Sequence, residues 1–349
     1  MDLDLPPYRP PRPLRNGHVQ SVLPTLFRRV GGVAYRRERL DLDDGDFLDL
    51  DWAGPAESPR VALVAHGLEG SSGRAYVRGM ARALARRGWR VCAWNLRGCS
   101  GEPNRVLRTY HSGVSDDLDA VVRHALGRPA RDGATRRGAA RRGRGGVEAL
   151  GLVGFSLGGN VTLKWLGERG GDVDPRVVGA VAVSVPVDLG SAAAEMEHWS
   201  RRVYMDRFLR SLRGKVEEKA ARFPGAPDPA PLRGMTSFRE FDGWVTAPLH
   251  GFESADDYWA RASAKPLLTA IRTPTLLVQA LDDPFLSPAC YPYAEAKANR
   301  HLRLLTPEHG GHVGFVGRGG EFWSETVAGQ FLDAAARSSA SRAAPPSTA

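Results

Sequence analysis

Residues 149–160 read ALGLVGFSLGGN, Ala149 to Asn160. The first seven are apolar or glycine, the composition of a strand buried on both faces. The pattern Gly154-Phe155-Ser156-Leu157-Gly158 overlaps its end, and residues 157–168 read as a helix. G-x-S-x-G between a strand and a helix lifts a serine hydroxyl clear of a sheet. Side chains two places before and after that serine would collide with neighbouring backbone, so both places go to glycine. The helix start behind Ser156 offers N–H groups to a developing negative charge. By itself the pattern also fits an ordinary glycine-rich turn. It does not fit a dinucleotide loop, because Gly151, Gly154 and Gly158 miss the G-x-G-x-x-G spacing.

Outward from this turn the same alternation repeats. Val61–His66 (VALVAH) reads as a strand ending at Gly67. A helix over 74–87 follows, with Val77, Met80, Ala81 and Leu84 at i, i+3, i+4 and i+7 and Gly88 at its stop. Val91–Asn95 is the next strand, and Ser115 is placed to cap a helix with Leu118, Val121, Val122, Ala125 and Leu126 on one face. Further strands are expected at 177–185, 275–281 and 302–305, and a last helix at 321–336. Apolar strands alternating with helices predict an α/β fold: a mostly parallel central sheet flanked by helices on both faces. The rhythm breaks at 187–265, where Met196, Trp199, Val203, Phe208, Leu209, Leu212 and Val216 recur at helical spacings. The expected organisation is therefore an N-terminal arm (1–40), core (41–186), an inserted helical cap (187–265), core again (266–337) and a disordered tail (338–349).

The 349 residues include 40 Gly, 25 Pro and only 3 Cys, with 42% hydrophobic and 25% charged. That excludes collagen, a disulfide-stapled module and a wholly disordered chain. The net charge is +9, which by itself suggests nucleic acid or an anionic surface. Its distribution argues otherwise. Residues 1–39 carry +5, the segment 128–146 (RPARDGATRRGAARRGRGG) carries +6 and the tail from 337 carries +2, so the remaining body is −4. The segment 128–146 lacks any side chain large enough to anchor it and reads as a flexible, solvated insert. No basic stripe on a folded face is indicated, so no nucleic-acid partner is expected. No apolar run reaches the ~18–20 residues of a membrane span. Cys92, Cys99 and Cys290 form no C-x-x-C pair. Together with the acidic, Pro-rich start these features predict a cytoplasmic protein without a metal, with at most weak peripheral contact with anionic membrane.

A serine hydroxyl needs a base, and the base an orienting carboxylate. Asp282 and Asp283 end the strand TLLVQAL, at the sheet edge where sites form. His309 and His312 follow the last strand in HGGHVGF. Asp283, before Pro284, and His312, in the loop with Gly310, Gly311 and Gly314, are the first choice. Asp282 and His309 are the alternatives. No metal-ligand spacing such as H-E-x-x-H joins these four. Upstream, His66-Gly67-Leu68-Glu69-Gly70 is a turn able to aim a backbone N–H at a substrate carbonyl. Leu68 is the expected donor, paired with the N–H of Leu157 in an oxyanion hole. Trp199, Tyr204, Phe208 and Trp244 are candidates to line an acyl pocket.

These motifs together resemble the YheT-like, embryogenesis-associated branch of the α/β-hydrolases. The resemblance spans about residues 15–335. It adds RNGHVQS (15–21) with LPT (23–25), HGLEGSS (66–72), NLRGCSG (95–101), YHSG (110–113) and DDPF (282–285) to the serine turn and HGGHVGF (309–315). It implies a Ser156-Asp283-His312 triad and cleavage of carboxylic esters, in some members lipid acyl esters, with no cofactor. The same triad serves thioesterases and amidases. A binding protein without activity would be expected to lack a triad member, and a nucleic-acid-associated protein would act through 128–146.

Overall fold

The computed structural model describes residues 3–128, 146–317 and 320–343. Among them eight strands form one sheet, ordered β1-β2-β4-β3-β5-β6-β7-β8. These are β1 (Arg36–Asp41), β2 (Phe47–Ala53), β3 (Arg60–Ala65), β4 (Arg90–Trp94), β5 (Ala149–Phe155), β6 (Val177–Val183), β7 (Thr275–Val278) and β8 (Leu302–Leu305). Strands β3 to β8 pair in parallel, while β2 runs antiparallel to both β1 and β4. The helices, in chain order, are α1 (Gly17–Phe27), α2 (Ala75–Arg86), α3 (Ser115–Ala125), α4 (Leu157–Arg169), α5 (Leu189–Met196) and α6 (Arg202–Arg222). There follow α7 (Phe238–Phe241), α8 (Ala247–His250), α9 (Ala255–Ala262), α10 (Tyr293–Ala298) and α11 (Trp323–Ala343).

The period-2 alternation of each strand sorts its side chains into two cores. Leu63, Cys92, Leu150 and Leu152 face Leu118, Val122, Val161 and Trp165 on α3 and α4. Val64, Ala93, Val153 and Phe155 face Met80 and Leu84 on α2 and Val327 and Phe331 on α11. Sheet, α3 and α4 on one side and α2 and α11 on the other make three layers. Everything between β6 and β7 is helical or loop: α5 to α9 lie there, with a π-helical turn at Asp242–Thr246 joining α7 to α8. This excursion has its own apolar cluster, including Met205, Leu209, Phe241 and Val245.

Several expectations need correction. The strands β1 and β2 are not marked by apolar runs, since they read RRERLD and FLDLDWA. Their polar positions pair across the ladder. Arg37 opposes Asp51 and Arg39 opposes Asp49, each as a bidentate ion pair at 2.8–2.9 Å. Leu48, Leu50 and Trp52 fill the other face. Ser115 does not cap α3; it is the first helical residue, behind Val114, and makes no capping bond. The last helix runs on to Ala343, into the stretch expected as a disordered tail. The remainder of that tail, and residues 129–145 of the basic insert, lie outside the described residues.

Candidate active site

β5 delivers Ser156 into a backbone conformation that a side chain rarely adopts, φ 51° and ψ −121°. The strain is held by close packing on both sides. A methyl at Gly154 would sit 2.5 Å from the Gly158 carbonyl oxygen, and one at Gly158 would sit 2.5 Å from the His66 carbonyl oxygen. The Ser156 N–H donates to the Val183 carbonyl of β6 at 2.9 Å. Both glycines are thus required by approach of backbone to backbone.

The other two partners arrive on loops after β7 and β8. His312 Nε2 lies 3.0 Å from Ser156 Oγ, and its Nδ1 lies 3.0 and 3.1 Å from the two carboxylate oxygens of Asp283. The Asp283 side chain is fully buried, and one oxygen also accepts the Phe285 N–H at 2.9 Å. The Phe285 ring stacks on the His312 ring, centroids 4.2 Å apart. The alternatives form a separate pair: Asp282 lies 3.4 Å from His309 and accepts the Gly311 N–H at 2.8 Å. They hold the loop and do not reach Ser156.

The loop carrying His312 is fixed by the N-terminal arm. Ser21 Oγ on α1 accepts the His312 N–H at 2.8 Å and donates to the Gly17 carbonyl at 2.7 Å. Gln20, fully buried, accepts the Val316 N–H at 3.1 Å. Gly311, at φ 56°, has room for no side chain, since a methyl would lie 2.3 Å from the Gly17 carbonyl oxygen. From the sheet side, Ser184 Oγ accepts the Val313 N–H at 2.9 Å.

The turn at 66–70 approaches from β3. His66 is buried, its Nδ1 donating to the Gly67 carbonyl and its Nε2 accepting the Leu96 N–H. Burial pushes its pKa down to about 4, so the ring is neutral at pH 7. A methyl on Gly67 would stand 3.0 Å from Ser156 Cβ. The turn's amides are mostly spent. Gly67 N–H donates to Tyr76, Glu69 N–H to Tyr110, and Gly70 N–H back to Gly67. Among the described residues neither the Leu68 nor the Leu157 N–H has a hydrogen-bond partner, and both residues line the same cavity as Ser156 and His312. Glu69, at φ 53°, is clamped by Tyr110 at 2.5 Å, by Lys215 of α6 at 2.8 Å and by Ser211. Burial would raise its pKa, but Lys215 and the hydroxyls outweigh it and hold the carboxyl ionised.

The Alpha/beta hydrolase family model matches residues 62–325. The chain is also 40% identical to the protein YheT of Escherichia coli K12, over 88% of this chain and 86% of that protein. The chain belongs to the alpha/beta hydrolase family, in its YheT-like branch. It is 26% identical to Phospholipase ABHD3 of Homo sapiens, covering 86% of this chain and 71% of that one. Among solved structures the Pyrococcus furiosus esterase PF2001 superposes with a TM-score of 0.55 at 18% identity, over 88% of this chain and 96% of the other. That likeness concerns the fold. Esterase- and lipase-type hydrolases are thus the relatives of this chain.

In this family member the cavity of about 440 Å³ extends from Ser156 and His312 into the helical excursion. The expectation for its aromatic lining needs correction. Phe208 lines it, but Trp199 and Trp244 are exposed to solvent, at 81% and 45%. Tyr204 packs instead on His18 and Phe285. The lining is supplied by Met196, Leu212, Phe238, Phe241, Val245 and Trp259. No helix among the described residues is long and apolar enough to cross a membrane. Sequence reasoning also gave no role to Ser21, Gln20, Ser184 and Glu69. The first two lie in RNGHVQS and Glu69 in HGLEGSS, so the motifs marked the places without saying what they touch.

Proposed function

We propose that this chain hydrolyses carboxylic esters through a covalent acyl-serine intermediate. The observation that carries the reading is the continuous line from Ser156 Oγ through His312 to the buried Asp283, at 3.0 Å for each step. His312 Nε2 takes the Ser156 proton as Oγ forms its bond to the ester carbonyl carbon. The resulting oxyanion is held by the N–H groups of Leu68 and Leu157, where losing one such donor typically costs ~10²–10³ in rate. The imidazolium, stabilised by Asp283, passes its proton to the alkoxide as the carbon–oxygen bond breaks, and the alcohol departs. Water then repeats the sequence: His312 takes its proton, hydroxide adds to the acyl carbon, and collapse returns the proton to Ser156 and frees the acid. Side chains, backbone and water suffice for this cycle.

The helices of 187–265 act as a cap whose apolar lining holds the acyl chain. The cavity fits a short- or medium-chain acyl group or one end of a lipid ester, in keeping with the names of the esterase and phospholipase relatives. Labelling with a fluorophosphonate tests the nucleophile. Wild type is expected to label and Ser156→Ala to remain unlabelled while keeping its melting temperature within a few degrees. A folded wild type that stays unlabelled, or equal labelling of the variant, sinks the assignment. A series of p-nitrophenyl esters from acetate to palmitate then reads the cap: a shaped pocket gives a maximum at one chain length, and equal rates throughout count against it.

A further inference from the structure

The geometry points to a docking face, built from α1 and the start of α6, that seats the protein on the surface of an anionic bilayer. Helix α1 has two opposed faces. Gly17, Gln20 and Ser21 pack inward against the loop that carries His312. Val19, Val22, Leu23, Leu26 and Phe27 recur at i, i+3, i+4, i+7 and i+8 and face solvent, with Leu26 56% and Phe27 70% exposed. An apolar stripe of that spacing normally points into a core. Here the core-facing side is the other one, and among the described residues the stripe stays open to solvent, from 37–39% at Val19, Val22 and Leu23 up to 70% at Phe27.

A second exposed patch adjoins it. His18 on α1 stacks on Tyr204 of α6, rings 5.9 Å apart, and hydrogen-bonds its hydroxyl at 3.1 Å. Beside Tyr204, Val203 is 79% exposed, and Trp199 just upstream is 81% exposed. Trp is the side chain best suited to a membrane–water boundary, where one end meets lipid and the other water.

Charge decides which occupant fits. Helix α1 carries no acidic residue, and exposed Arg15 and Arg29 flank its two ends. On α6, Arg207 and Arg210 stand four and seven residues after Val203, hence on its face, exposed and with no ion pair among the described residues. Of the acids beside Trp199 and Val203, Asp206 is engaged by Arg202 at 3.3 Å and Glu195 by Arg201 at 2.6 Å, while Glu197 is exposed, leaving the face with a cationic excess. Apolar side chains rimmed by unpaired cations match lipid tails beneath anionic headgroups. A second copy of the same face would bring these cations against each other.

Sedimentation of the full chain with vesicles tests this without reference to catalysis, so its outcome stands apart from the ester-hydrolysis reading. Wild type is expected to pellet with phosphatidylcholine vesicles containing phosphatidylglycerol, less so at high salt, and weakly with phosphatidylcholine alone. Leu26→Ser combined with Phe27→Ser is expected to lower the partition coefficient about tenfold or more. Trp199→Ala, in the turn just before α6, lowers it independently, so the test survives if the double variant folds poorly. Circular dichroism melting controls for folding. Three results overturn the proposal: no binding by wild type; undiminished binding by the folded variants, which assigns the attraction to basic segments such as 128–146; or a wild-type dimer that the stripe variants dissociate.

Discussion

Ser21 shows how a residue far from Ser156 in sequence fixes the bearing of the His312 ring beside it. Its hydroxyl is the acceptor for the His312 backbone N–H, and in turn donates to Gly17. Ser21→Ala leaves that N–H without its partner at a cost of about 1–3 kcal/mol. The ring then loses its fixed bearing on Ser156. The expected outcome is a lower kcat with KM nearly unchanged, since in the proposed mechanism His312 acts in the transition state more than in binding. Steady-state kinetics on a soluble ester checks this; an unchanged kcat would remove Ser21 from the positioning role. At this scale much of the site was legible. G-x-S-x-G carries its own steric reason, and a strand-end Asp with a post-strand His needs only chain order. What sequence could not supply was contact. Nothing in RNGHVQS says that its serine meets residue 312, because hydrogen bonds across 291 residues leave no local pattern. The preference for Asp283 and His312 over Asp282 and His309 rests only on Pro284 and the flanking glycines, and both pairs suit the loop until the fold brings one to Ser156.

Elements with strong hydrophobic periodicity were read to within a few residues, as β5 and α2 show. The first two strands escaped for a physical reason. Their alternation is between leucine and aspartate in β2, and arginine fills the facing positions of β1, so burial is achieved by charge pairing rather than by apolar side chains. Three of the arginines at 1–39 are in fact spoken for: Arg37 and Arg39 in this ladder, and Arg28 against buried Glu325 at 2.6 Å. Arg39→Ala should destabilise the fold by about 1–2 kcal/mol, the guanidinium being partly exposed and screened. Its pH dependence has a defined sign. Burial would raise the carboxyl of Asp49, but Arg39 leads the contacts that outweigh it and leave its pKa below the usual value. The stabilisation is therefore present above the ordinary Asp value near 3.9 and lost as pH falls through the lower folded value. Melting curves from pH 7 to 3 should show a steep acid limb in wild type and a shallower one in Arg39→Ala. Parallel limbs would mean that the ladder is not an electrostatic device.

For the molecule as a whole, buried His66 and half-buried His111 and His250 set a second pH window. Burial lowers His66 to about 4, His250 to about 4 and His111 to about 3, the last with help from His250 across 4.6 Å between rings. Each is neutral when folded and takes a proton near 6.5 when unfolded. Stability is then full above about pH 6.5 and falls as pH drops towards 4, by up to about 1.4 kcal/mol per unit for each ring. Denaturant midpoints at pH 8, 6 and 5 check this, and a constant midpoint refutes it. The layered plan was legible from the alternation of strands and helices, while the cavity lining was not, because helical spacing alone does not say which face of an excursion looks inward. The docking of α1 on the final loop has a consequence for synthesis. Synthesis runs from the N- to the C-terminus, so α1 leaves the ribosome well before the loop it clasps, Ser21 and His312 being 291 residues apart. Over that interval its inward face of Gly17, Gln20 and Ser21 has no native neighbour, and Ser156 meets His312 only once the loop at 309–316 has left the ribosome. A ribosome-stalled chain ending at residue 300 should therefore carry Ser156 and yet fail to react with fluorophosphonate, and α1 should be open to protease until the remaining residues are made.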